Sequence, residues 1–340
     1  MKAFTLPDGV EAQSPPTARD GVRLLVASPA GLEHARFADL ARHLEPGDLV
    51  VVNTSATLGA AIDGVRGDGR PVTVHFATAL DGGEWVVEIR PAEPGATGPM
   101  TDGRPGDRIV LPDAVTLTVR APHPPGQHRL WRASVAVEGG VVAYLARHGR
   151  PIRYAYVPTP IPLAEYQTVF AREAGSAGSA EMPSAGRPFT AELVVDLVTR
   201  GVGVAPITLH TGVSSQEPGE PPQPERFRVP ESTARAVNAT RAWGGRVIAV
   251  GTTVTRALES AADEQGTVRS ARGWTDLVLG PDRPARAVTG LVTGWHAPGA
   301  SHLDLLEAVA GPELVERAYR AAVRQRYLWH EFGDSCLLLP

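Results

Sequence analysis

At 340 residues, with 43% hydrophobic and 21% charged positions and a net charge of -4, the chain has the composition of an ordinary globular protein long enough for two domains. That balance supplies no global basic field to recruit nucleic acid, and the lone cysteine, Cys336, excludes an internal disulfide framework and any multi-cysteine zinc or iron–sulfur site. The opening MKAFTLPDGV lacks the apolar segment of a signal peptide, and no run of about 18 apolar residues is present to span a bilayer, so a reduced cytoplasmic setting without a membrane partner is expected.

Thr17–Val26 puts a charged turn before an apolar strand, and Phe37–Leu44 reads as a short helix ending at Glu45-Pro46-Gly47-Asp48. Leu49–Val52 is a fully apolar strand that stops at Asn53-Thr54-Ser55. From about Asp63 the texture changes to short β-rich runs between Gly, Pro and Asp turns: Pro71–Phe76, Glu84–Arg90, Arg108–Leu111, Val115–Arg120 and Leu130–Val137. Such spacing predicts a small antiparallel β-barrel or sandwich. We place it at residues 64–138, with a loop at Pro91–Pro105, inserted into a discontinuous α/β catalytic domain of residues 1–63 and 139–340.

Val141–His148 reads as a helix, and Arg150–Tyr156 is too rich in proline and aromatics for a regular element. Gly175–Gly186 is small and flexible, an active-site loop or a plain connection. Thr190 caps a helix over Ala191–Arg200 that ends at Gly201, and Val202–Leu209 is the next strand, followed by a polar loop at Ser214–Gln223. Arg246–Val250 then forms a β-branched strand, Gly251 breaks it, and Thr252 and Thr253 offer cap hydroxyls to a helix whose apolar face is Val254, Ala257, Leu258 and Ala261. Strands at Asp276–Leu279 and Gly290–Thr293, helices at Leu303–Ala310 and Pro312–Arg326, and a strand at Ser335–Leu339 complete the chain. The alternation predicts an α/β fold with a mainly parallel sheet flanked by helices.

A parallel sheet gathers the carboxyl ends of its strands at one edge, where ligands collect. Four polar clusters fall at such ends: Asn53-Thr54, Thr208-Leu209-His210, Gly251-Thr252-Thr253 and Thr293-Gly294-Trp295-His296. Taken singly, His210 or His296 is an ordinary strand-end histidine, Arg256 and Glu259 are spaced to pair with each other on a helix surface, and Asp334 is a turn former. G-x-G-x-x-G, Walker, H-E-x-x-H and G-x-S-x-G patterns are absent.

Read together, the motifs resemble a family. Arg19-Asp20, Arg23–Val26, Pro46–Val50, Glu165–Ala171, Thr208-Leu209-His210 with Gly212, Gly245–Ser260, Gly273–Asp276, Trp295-His296 before Pro298, Ala308–Gly311 before Ala318-Tyr319, and Phe332-Gly333-Asp334 follow one another as in S-adenosylmethionine:tRNA ribosyltransferase-isomerase of the queuosine pathway. The chain departs from that pattern at polar positions. Thr54-Ser55-Ala56 follows Asn53 where the family carries Asp-Thr-Arg, Ala61 stands at a second family arginine, Ile152–Ala155 replaces Leu-Pro-Pro-Tyr, and Pro188 replaces a histidine. Of a His-x-x-His-x-Glu stretch only Glu225 is kept, with Glu220 and Gln223 at the histidine positions.

The resemblance implies transfer and isomerisation of the ribosyl part of S-adenosylmethionine onto a 7-aminomethyl-7-deazaguanine in tRNA, with release of adenine and methionine and no metal. His210 and then His296 are the choices for the base, since a base near neutrality is required. Asp334 and Glu259 are candidates to orient a histidine or hold ribose hydroxyls, and Arg256 to bind the methionine carboxylate. Tyr166 or Trp295 suits the sulfonium or adenine, with Gln167, Thr208, Gly251, Thr252 and Thr253 completing the expected S-adenosylmethionine site. The departures leave two alternatives: a paralogue that uses a non-tRNA acceptor or acts as a lyase, and a non-catalytic nucleotide- or RNA-binding descendant. A monomer is the simplest expectation.

Overall fold

The computed structural model describes residues 4–92, 98–172, 175–213 and 223–340. Three strands open it, β1 (Arg23–Ser28), β2 (Gly31–Arg36) and β3 (Leu49–Asn53), with a 3-10 segment at Phe37–His43 between the last two. Six more follow: β4 (Ala61–Arg66), β5 (Pro71–Ala79), β6 (Trp85–Pro91), β7 (Arg108–Val110), β8 (Thr116–His123) and β9 (Leu130–Val135). After α1 (Val141–His148) and α2 (Ala191–Thr199) come β10 (Gly203–Leu209), β11 (Glu225–Val229), α3 (Glu231–Ala242), β12 (Val247–Val250) and α4 (Thr252–Ser260). The chain closes with β13 (Ala271–Thr275), β14 (Gly290–Thr293), α5 (His302–Ala310), α6 (Pro312–Arg324) and β15 (Ser335–Leu338).

Nine strands make one sheet in the order β13-β11-β10-β3-β12-β14-β15-β1-β2. Its middle, β10-β3-β12-β14, is parallel, with Val51 opposite Ala205 on one side and Ala249 on the other. β15 runs antiparallel to β14 and parallel to β1, and the flanks β11-β13 and β2 are antiparallel. All five residues of β3 are buried, as a central strand covered on both faces requires. Alternate residues feed two cores. Leu49, Val51, Ala205, Ile207 and Ala249 pack with α4, α5 and α6, while Val50, Val52, Ile248 and Val250 pack with Phe37, Leu40, Phe189, Leu193 and Leu197. Each Val or Leu so buried contributes about 1.5–3 kcal/mol.

β4 to β9 close into an antiparallel barrel, β4-β5-β6-β9-β8-β7, sealed where Val65 meets Val110. Closure removes the exposed edges that six short strands would otherwise present. Gly64 is required at the seam, because a Cβ there would come within 2.8 Å of the Val110 carbonyl oxygen. Among the described residues no helix is long and apolar enough to cross a membrane.

Three expectations are corrected. The apolar run Asp276–Leu279 is not a strand; the pairing falls one element earlier, where β13 lies antiparallel to β11. β2, β4, β11 and α3, absent from the sequence reading, are rich in polar or small residues and present no continuous apolar run. Thr252 and Thr253 do not cap α4. They lie within its first turn, and Gly251 takes the cap position at φ +91°. The polar loop expected at Ser214–Gln223 and Glu220 within it fall almost wholly outside the described residues, as does part of the Pro91–Pro105 loop.

Candidate active site

Because β3, β10, β12 and β14 run parallel, Asn53, Leu209, Val250 and Thr293 end at one edge of the sheet. Two clefts lie along it. The first, of about 520 Å³, is bounded by the Gly251 turn and start of α4, the segment after β14, Glu181–Ala185, Tyr154, Tyr156 and His330-Glu331. The second, of about 820 Å³, opens between β10-β11 and the barrel hairpin around Gly82, and carries Thr54, Ser55, Thr208, Arg172, Arg226 and Arg228. His210 lines the second while Thr211 and Gly212 line the first, so the end of β10 is a wall common to both. The first lies within the roughly 300–1,000 Å³ usual for small-molecule sites.

Six of the expected residues, Gly251, Thr252, Thr253, Arg256, Trp295 and His296, meet in the first cleft. Gly251 adopts a backbone conformation open in practice to glycine alone, and a Cβ there would lie 3.3 Å from that of Ala185. Arg256 is buried and already engaged. It pairs with Glu225 and donates to the carbonyls of Leu277 (3.1 Å) and Thr275 (3.2 Å). It therefore does not pair with Glu259, as helical spacing alone suggested. Burial pushes the Glu225 carboxyl up against the opposing pull of Arg256.

The His296 ring is held by two contacts. Its Nε2 lies 3.1 Å from Thr293 Oγ1, and its ring stacks on His302 with centroids 4.6 Å apart and planes 2° off parallel. Burial, with the two neighbouring histidines His302 and His330, holds the imidazole well below its ordinary range, so it is neutral at physiological pH. With the Thr293 hydroxyl donating to the Gly294 carbonyl (3.2 Å), Nε2–H donates to Thr293 and Nδ1 carries the lone pair, a tautomer assigned from the network. Trp295 lines the cleft with an indole that is itself part of an aromatic cluster with Tyr319, Tyr327 and Trp329.

His210 and Thr208 stand in the second cleft. Asn53 fixes this strand end by donating to the Leu209 carbonyl (2.8 Å) and accepting from the Leu209 N–H (3.0 Å). His210 Nδ1 then meets Ser55 Oγ at 2.7 Å, and Ser55 Oγ meets Ser179 Oγ at 2.7 Å. Burial, reinforced by the Arg226 charge, pushes His210 down to about 4. Thr208 Oγ1 pairs with Thr54 Oγ1 at 3.0 Å.

The remaining expected residues lie away from both clefts. Asp334 accepts from the N–H groups of Arg23 and Leu328, both at 2.7 Å, and from the Arg23 guanidinium, tying β1 to the C-terminal turn. Glu259 is buried and accepts backbone N–H bonds from Arg286, Ala287 and Val288. Tyr166 is buried against Phe332, and Gln167 grips both backbone groups of Thr57. Sequence reasoning missed Glu181, Glu331, Tyr154, Tyr156 and His302, which all line the first cleft. They sit in irregular segments or at a helix start, where no periodicity marks a face. Among the described residues no group of three His, Cys, Asp or Glu is placed to hold a metal ion.

Comparison with known proteins bears on this geometry. The family model described as "Queuosine biosynthesis protein" matches residues 2–338. The chain belongs to the queuosine biosynthesis protein family. A relative from Symbiobacterium thermophilum is 39% identical over 99% of this chain and 98% of its own length, and one from Moorella thermoacetica is 36% identical with the same coverage. Both are named S-adenosylmethionine:tRNA ribosyltransferase-isomerase. A crystal structure of S-adenosylmethionine tRNA ribosyltransferase from Thermotoga maritima aligns with a TM-score of 0.55 at 27% identity, covering 99% of each chain. Membership makes the chain an enzyme, and the α/β sheet with its barrel is the fold of the family.

Proposed function

We propose that the first cleft holds S-adenosylmethionine and that the enzyme transfers and isomerises its ribosyl moiety onto the amine of a 7-aminomethyl-7-deazaguanine in tRNA, releasing adenine and methionine. The observation that carries this is the convergence of Gly251, Thr252, Thr253, Arg256, Trp295 and His296 on one cleft at the carboxyl edge of the sheet, in a chain of this family. Arg256 is the one Arg or Lys among the cleft's described lining residues, against the carboxyls of Glu181, Glu225 and Glu331. Such a lining suits a sulfonium cation.

A base must take a proton from the carbon beside the sulfonium, whose positive charge stabilises the electron pair left behind. His296 is in the same cleft and unprotonated, so its Nδ1 lone pair is our choice; burial also weakens it as a base, so the transfer relies on the acidity the sulfonium gives the carbon, and His210 stands in the neighbouring cleft. Opening of the ribose expels adenine, the acceptor amine attacks the exposed carbon and gives up a proton, and a ribosyl oxygen then displaces the sulfonium so that methionine leaves as the neutral thioether. Arg172 and Arg228, beside an Arg226 that is paired with Asp81 on the same wall, give the second cleft a positive excess to receive tRNA phosphates, and the end of β10 at His210-Thr211-Gly212 borders both clefts.

A second reading, a small-molecule acceptor or simple elimination, is favoured by one feature: Ala56 lines the second cleft where the family signature has arginine. Incubation with S-adenosylmethionine, with and without tRNA carrying the precursor base, separates the two. Adenine and methionine released only with tRNA supports the first reading, release without tRNA supports the second, and binding without turnover sinks both.

A further inference from the structure

The acidic end of the first cleft is a specific cluster of side chains as well as a field favourable to a cation. Tyr154 and Tyr156 stack with centroids 5.6 Å apart and planes 8° off parallel, and Tyr156 stacks in turn on His330 at 4.4 Å and 15°. Tyr154 donates to Glu181, and Tyr156 donates to the Glu331 carboxyl. Glu331 Oε2 is closed off from solvent and accepts no hydrogen bond from any described residue. The one cleft arginine does not serve it, since Arg256 pairs with Glu225. Burial, and then the nearby Glu181 charge, push the Glu331 carboxyl up to about 8.

A carboxylate buried without a cation is costly, and this one stands beside a second carboxyl and a row of aromatic rings. That combination selects the cation. Among the described residues no group of three His, Cys, Asp or Glu gathers here to hold a metal ion, whereas aromatic faces favour organic cations. A sulfonium has no N–H or O–H to give Glu331 Oε2, while an ammonium has three donors.

We propose that Glu181 and Glu331, walled by Tyr154, Tyr156 and His330, form a binding site for a primary alkylammonium group of a substrate. The proposal rests on the reading of this cleft as the S-adenosylmethionine site, and it extends that reading to a residue set absent from the family motifs quoted above. Two sources carry this chemistry: the amino group of the methionyl part of S-adenosylmethionine, and the amine of the acceptor.

Calorimetric titration of the wild type, Glu331→Gln and Glu181→Gln at pH 8 with S-adenosylmethionine, and separately with benzylamine in the presence and absence of S-adenosylmethionine, tests it. If the methionyl ammonium fills the site, both variants weaken S-adenosylmethionine at least tenfold and S-adenosylmethionine displaces benzylamine. If the acceptor amine fills it, the variants weaken benzylamine at least tenfold, leave S-adenosylmethionine within twofold, and benzylamine binds beside it. Both ligands binding both variants within twofold of wild type, or benzylamine failing to bind with S-adenosylmethionine unaffected, overturns the proposal. Thermal unfolding of each variant in the same buffer establishes that it is folded. Binding is read directly, so a protein that binds amines but never releases adenine refutes the catalytic reading and leaves this one standing.

Discussion

Replacing Glu259 by Gln separates a structural carboxylate from a catalytic one. Its side chain is 2% exposed and receives N–H bonds from Arg286 (2.9 Å), Ala287 (2.8 Å) and Val288 (3.0 Å), with the Arg283 guanidinium 3.4 Å away. These bonds pin the segment leading into β14, and so the strand that ends at Thr293 and His296. Gln keeps one acceptor oxygen but turns an amide donor toward the N–H groups and the guanidinium. Each of the three bonds to charge weakens by about 1 kcal/mol on becoming neutral, and the misplaced donor adds a further penalty, so the expected loss is about 3–5 kcal/mol. For a chain of this size that lowers the unfolding temperature by roughly 4–7 °C. Scanning calorimetry reads the stability, and S-adenosylmethionine titration at 20 °C below the new transition reads the site, where affinity within threefold of wild type is expected. An unchanged unfolding temperature, or loss of binding in a protein of wild-type stability, refutes the reasoning.

His296→Asn should slow adenine release by about 10²–10⁴-fold while leaving S-adenosylmethionine affinity within threefold, and His210→Asn should slow it less than tenfold; single-turnover kinetics distinguish them, and full activity in His296→Asn assigns the proton to another group. Gly251→Ala forces a side chain into a glycine-only conformation against Ala185, which should cost about 1–3 kcal/mol in denaturant unfolding and weaken S-adenosylmethionine at least fivefold; wild-type affinity in the folded variant removes the first cleft as the binding site. Glu331 has Tyr156, Glu181 and the Glu11–His330 pair around it, and its carboxyl sits near 8 in the folded protein against an ordinary 4.5. Between those values the folded state keeps a proton that the unfolded state has released, so stability falls as pH rises from about 4.5 to 8, by at most about 5 kcal/mol. Glu331→Gln should therefore gain on the wild type across that window and not below it; parallel pH dependences of the two proteins contradict this.

Much of the fold is legible because buried strands declare themselves. Leu49–Asn53, Val247–Val250 and Gly290–Thr293 are apolar runs with both faces covered, and the Gly251 break fixes the turn that follows. The barrel is readable from its punctuation rather than its strands. What escapes the sequence is elements without an apolar run, which extend only because they pair. Glu225–Val229 is a polar strand whose only reason to extend is pairing with β10 and β13, and Asp276–Leu279 is apolar yet unpaired. The same holds at the site. Residues placed by a strand end or a helix start, such as Gly251, Arg256 and His296, line one cleft at the sheet edge. Glu259 and Asp334 carry the residue types of catalysis but serve buried backbone N–H groups, a use that only three-dimensional contacts reveal. Glu181 and Glu331 are 150 positions apart in irregular segments and meet only once the chain has folded.

The reaction itself is tested most directly by mass spectrometry of tRNA bearing the aminomethyl-deazaguanine after incubation with the enzyme and S-adenosylmethionine. The expected result is one ribosyl-derived unit gained per tRNA, matched mole for mole by free adenine. Adenine release with no change in the mass of the tRNA, or neither product under conditions where S-adenosylmethionine binds, contradicts it.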